Sequence, residues 1–139
     1  MRSAFRYWGP VIVWSIVLLL TSSDLFSSSH SGSIMATLFG RYLSPAQLES
    51  LNFFFRKCMH LTGYGILGWL GFRAARGESR GFAMKWALTG MLITLAVASA
   101  DEWHQTLIPS RGGSPKDVLL DCCGAAIAQL FTAMRNLRR

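Results

Sequence analysis

Four stretches of the chain, 7–25, 57–75, 82–101 and 115–134, are predominantly apolar and are bounded by polar or basic clusters. Each is close to the ~20 residues that an α-helix needs to cross the hydrocarbon core of a bilayer. The pattern predicts four membrane-spanning helices. A basic start before a short apolar run also fits a signal peptide, but Leu25 and Phe26 extend the run and no A-x-A cleavage site follows. A retained first span is therefore expected.

The connections are read from their turn chemistry. Thr21 to Asp24 is polar, and the serine-rich segment from Ser27 to Ser33, with Gly32, predicts a flexible loop. A short apolar patch, Ile34 to Phe39, reads as a turn at the membrane surface. Ser44-Pro45-Ala46-Gln47 has the spacing of a capping box, with proline at the first helical position. Leu48, Leu51 and Phe55 follow at helical spacing, which predicts an amphipathic interfacial helix over 45–56, anchored by Phe53 to Phe55. Gly65, Gly68 and Gly71 mark one flank of the second span as a surface that a neighbouring helix can approach closely. Ser114-Pro115-Lys116-Asp117 opens the last span with a second capping-box spacing.

Composition agrees with this pattern. Of 139 residues, 51% are hydrophobic and only 15% are charged, the profile of a single integral membrane domain. The net charge of +7 would suggest nucleic acid in a soluble chain, but the basic residues cluster at the ends of apolar runs, so no nucleic-acid partner is expected. Arg2 and Arg6, the Arg73–Lys85 loop and the C-terminal arginines fall on one side. The positive-inside rule makes that side cytoplasmic, with both termini inside. Cys58, Cys122 and Cys123 form no C-x-x-C motif and read as small packing residues.

Charged groups in or beside a membrane segment are costly and mark candidate functional positions. In the second span Lys57, His60 and Tyr64, at i, i+3 and i+7, fall within an arc of about 60° and so share one helical face. At the end of the third, Asp101 and Gln105 are i, i+4 neighbours while Glu102 points ~100° away. Acids at a helix C-terminus oppose the macrodipole, which favours a site or a partner charge over a merely solvated end. In the fourth, Asp117 and Asp121 form a stripe with Gly124. Asp117 has a capping role available to it, whereas Asp121 lies among Leu119, Leu120, Cys122 and Cys123 and needs a partner. Lys57, Arg111 and His60 are the candidates. Arg111, in the loop before Ser114, offers a bidentate fork for phosphate or carboxylate. The structural alternative is a snorkelling lysine, a belt tyrosine and a satisfied packing histidine.

The pattern Lys57-x-x-His60-x-x-x-Tyr64, then Asp101-Glu102-x-x-Gln105, then Arg111, Ser114, Asp117, Asp121 and Gly124, resembles the VanZ-like family of small bacterial membrane proteins. The resemblance implies a four-helix bundle in the bacterial inner (cytoplasmic) membrane and, for the family's namesake, resistance to the glycopeptide antibiotic teicoplanin. It supplies no settled biochemical activity.

These readings together predict an all-α, four-helix membrane bundle, with a short interfacial helix before the second span and an extracytoplasmic polar site. The expected partner is a membrane lipid or lipid-linked cell-envelope precursor. In an enzymatic reading Asp101 or Glu102 is the general base and His60 its acid–base partner, while Lys57, Tyr64, Gln105, Arg111, Ser114, Asp117 and Asp121 line the binding site. The carboxylates of Asp101, Glu102 and Asp121 are also the candidate ligands of a divalent cation. The alternatives are a non-catalytic binder of an anionic lipid, precursor or antibiotic, and a structural subunit with a salt-bridge network.

Overall fold

The computed structural model describes residues 2–22, 28–107 and 112–137. Five helices and no strand occur among them: α1 (Arg2–Thr21), α2 (Ser28–Phe39), α3 (Pro45–Arg76), α4 (Met84–Thr106) and α5 (Pro115–Leu137). The all-α expectation holds. Two helices are long and apolar enough to cross a membrane, Ala4–Thr21 within α1 and Pro115–Asn136 within α5. α3 and α4 do not reach the same apolar standard, and they carry most of the polar residues that build the site described below.

α3 is the central element and packs against each of the others. Its start follows the capping chemistry expected from sequence. Ser44 Oγ accepts from the Gln47 backbone N–H, the Gln47 side-chain Oε1 accepts from the Ser44 N–H, and Pro45 occupies the first turn. Nothing interrupts the helix between 56 and 57, so the expected interfacial helix and second span are one continuous rod of 32 residues. A second difference lies just before it. The serine-rich segment is helical from Ser28, not a loop, and α2 packs on the first turns of α3. Serine is only a moderate helix former, so here tertiary packing overrides local propensity.

The helix directions follow from which residues meet. Gly65 and Gly68 of α3 face Gly124 and Ala125 of α5, so these two helices run parallel. Tyr64 meets Asp101 of α4 while Gly71 meets Gly90, so α4 runs antiparallel to α3. α1 is also antiparallel: the Trp14 indole N–H donates to Gly63 O (2.9 Å), and Tyr7 stacks near the Arg73 guanidinium at the other end. One end of the bundle therefore collects the C-termini of α1 and α4, the N-terminus of α5 and the N-terminal half of α3.

Small residues set how closely these helices pack. Positions three apart turn by about −60° per step on a helix, so Gly65, Gly68 and Gly71 sweep from α5 round to α4. A Cβ on Gly124 would stand 2.1 Å from Leu61 O, and one on Gly90 would stand 2.4 Å from Gly68 O. Both obstacles are backbone, so only glycine permits these crossings.

Apolar bulk and polarity are distributed in an unusual way. Asp101, Glu102, Gln105, Asp121, Thr94 and Gln129 are buried, beside Tyr64, Leu67, Phe72 and several alanines. Large apolar side chains such as Ile12, Leu92, Leu119, Leu130 and Phe131 point outward.

Candidate functional site

The polar residues expected to converge do so at the end of the bundle where α1 and α4 finish and α5 begins. Asp101 is at the centre, 1% exposed. Its Oδ2 accepts from the Tyr64 hydroxyl of α3 (3.1 Å) and from Gln105 Nε2 one turn along α4 (3.2 Å). Gln105 Nε2 also donates to Ser22 Oγ (2.6 Å), tying the end of α1 to the cluster. The i, i+4 relation of Asp101 and Gln105 is thus realised as a direct bond.

Glu102 is turned ~100° from Asp101 around the helix but stays buried, with Gly113 and Ser114 packed against it. The Ser114 N–H donates to its Oε2 (2.6 Å). Gly113 passes so close that a Cβ there would lie 2.1 Å from Glu102 O. Ser114 therefore differs from the expected reciprocal cap. Its hydroxyl accepts from the Lys116 N–H, while its own N–H serves Glu102 and the Asp117 carboxylate turns to Lys57.

Glu102 is thus a buried acid with one oxygen held by a backbone N–H. Glu102→Gln keeps an acceptor for Ser114 and removes a charge from a buried position. In EDTA-containing buffer at pH 8 it should melt higher than wild type, which differential scanning fluorimetry checks.

On the α3–α5 side, His60 Nδ1 lies 3.3 Å from Asp121 Oδ1, with the ring off line for a straight hydrogen bond. Asp121 is fully buried, and of the described candidates His60 is the one beside it, since Lys57 pairs with Asp117. The His60 ring stacks over Tyr64 at 6.0 Å between centroids. Lys57 sits one turn away, ion-paired with Asp117 and 5.3 Å from the Phe53 ring centre. Asp101 Oδ1, Glu102 Oε1 and both Asp121 oxygens are buried with no hydrogen-bond partner among the described residues. Arg111 lies outside the described residues. Of the other site residues expected from sequence, all lie at this end of the bundle.

A cavity of about 380 Å³ opens beside the cluster, between α1 and α3. Trp14, Val17, Leu18, Met59 and Ile66 give it apolar walls, and His60, Tyr64, Asp101 and Ser22 form its polar end. Arg56 and, from α2, Ser31 also line it. Neither Arg56 nor Ser22 is visible as a site residue from sequence, since each is brought to the cavity by a neighbour distant in the chain. The only local signal for Arg56 is a second cation beside Lys57.

Comparison with known proteins identifies one family. The family described as VanZ/LLP1 matches residues 7–136. No curated protein and no solved structure matches the chain significantly.

Proposed function

The chain belongs to the VanZ/LLP1 family, and we propose that it is a membrane-embedded protein acting on the head group of a lipid or lipid-linked cell-envelope precursor. The observation that carries this reading is the shape of the cavity. An apolar trough between α1 and α3 ends on His60, Tyr64 and Asp101, with Arg56 on its wall. That shape suits an amphiphile, with its chain against Trp14, Leu18 and Ile66 and its anionic head at the polar end. Arg56 is the cation we assign to the head group, because Lys57 is already paired with Asp117.

Four of the five helices, α1, α3, α4 and α5, span the bilayer in this proposal. The outward-facing leucines, isoleucines and phenylalanines meet lipid, and the buried carboxylates are shielded within the bundle. Arg6, Arg73, Arg76, Lys85 and Arg135 gather at the end remote from the site, which the positive-inside rule places in the cytoplasm. The site then faces the outer leaflet. In catalysis Asp101 or Glu102 takes a proton, His60 is the acid–base partner, and Tyr64 positions Asp101. A glycopeptide-resistance role would follow from altering or holding an envelope precursor.

Native mass spectrometry of the protein extracted in mild detergent tests the reading. A discrete phosphate-bearing lipid should remain on wild type. Arg56→Ala, or Ile66→Trp to fill the trough, should reduce its occupancy by at least about tenfold, the effect of ~1.4 kcal/mol. Equal retention by all three proteins would remove the cavity as the binding site.

A further inference from the structure

We infer that His60, Asp101 and Glu102 form a binding site for one first-row divalent cation, of the zinc or manganese class. One ligand atom from each of the three lies within 4.8 Å of the others. Ligands at ~2.0–2.2 Å from a zinc ion stand roughly 3.3 Å apart, so small side-chain rotations complete the geometry. One imidazole with two carboxylates is a donor set that such ions accept.

Proximity of acids alone does not make a metal site. The second observation is that each ligand is gripped on one side and left open on the other. Asp101 uses Oδ2 for Tyr64 and Gln105, and its Oδ1 has no partner among the described residues. Glu102 uses Oε2 for the Ser114 N–H, and its Oε1 has no partner among the described residues. Both residues are at least nine-tenths buried, so the open atoms cannot turn to solvent. A carboxylate buried with one oxygen unserved is costly, and a cation between the two removes that cost.

His60 fits the same plan. Asp121 lies beside one of its ring nitrogens. A carboxylate in that position fixes the ring and its tautomer, leaving the other nitrogen for an ion, the outer-shell arrangement usual for metal-bound histidine. Asp121, which sequence reading places among the ligands, is therefore assigned to this supporting role. Three protein ligands leave coordination positions open, and His60 and Asp101 both border the cavity. A phosphate oxygen of a head group can complete the shell there. The site thus deepens the lipid reading, but its test requires no lipid.

The experiment is a titration of the full chain, stripped with EDTA in detergent, with Zn²⁺ and with Mn²⁺ by isothermal calorimetry. Metal content after desalting gives the stoichiometry. One ion per chain is expected. Asp101→Asn and Glu102→Gln should each weaken binding at least tenfold, as should Asp121→Asn through the orientation of His60. His104→Ala, an exposed histidine facing away from the cluster, should leave binding unchanged. Because a variant can fail to fold, wild type carries an independent readout: pulsed EPR of the Mn²⁺-loaded protein should show a single imidazole nitrogen on the ion. Absence of that nitrogen, binding below one equivalent, or binding lost with His104 would overturn the inference. Lipid retention measured on the stripped protein separates the two proposals, since either can fail while the other stands.

Discussion

Gly124→Ala should destabilise the protein by about 3 kcal/mol, at the top of the range for overpacking. The added methyl would stand 2.1 Å from Leu61 O and 3.0 Å from Leu61 C, and backbone cannot swing aside as a side chain does. α3 and α5 would have to separate. Gly63→Ala is the matched control. Its methyl would meet only the tip of Leu18, at 2.9 Å, and a rotation of that side chain makes room. Unfolding of both variants in detergent, followed by circular dichroism, measures the difference. The crossing lies immediately beneath the site, for Leu61 follows His60 and Gly124 is one turn from Asp121. Separation at Gly124 should therefore also part His60 from Asp121. A Gly124→Ala protein as stable as wild type would mean that these helices do not pack as described.

On the catalytic reading proposed above, Asp101→Asn should lower turnover of a lipid substrate by about 10²–10⁴-fold, the contribution typical of a positioned acid or base. An asparagine oxygen can still accept from Tyr64 and Gln105, so the change falls on Oδ1, which has no partner among the described residues and turns from a charged acceptor to a neutral donor. On protein stripped with EDTA, so that no cation differs between the two, lipid occupancy by native mass spectrometry should persist. Mass analysis of the lipid after incubation then distinguishes the readings. Product from wild type and none from the variant supports catalysis. Bound lipid without product from either protein supports the non-catalytic binder.

Much of this was legible in the chain because the relevant physics is local. The capping box at Ser44 needs only four residues, and it forms as expected. The one-face relation of Lys57, His60 and Tyr64 needs only helical periodicity, and all three side chains turn towards α4 and α5. What could not be read is decided between elements. Serines 28 and 29 gave no hint of α2, which depends on α3 for support. Asp117 had two roles open to it, and the choice of Lys57 over the helix cap depends on where α3 passes. The same holds for Ser114, whose N–H is claimed by a carboxylate from α4.

The unbroken length of α3 bears on how a ligand gets in. At ~1.5 Å per residue its 32 residues extend about 48 Å, against ~30 Å of bilayer hydrocarbon. In a membrane the excess must project or tilt, and the bundle packs around the C-terminal part, so the overhang lies on the side of the carboxylates. That overhang holds Phe53 and Phe54 outward, and α2 packs against the same helix. In the proposed membrane arrangement these aromatics would lie at head-group depth and the flank between α1 and α3 would face the acyl chains. A lipid would then reach the carboxylates by sliding sideways within its own leaflet, without leaving the bilayer.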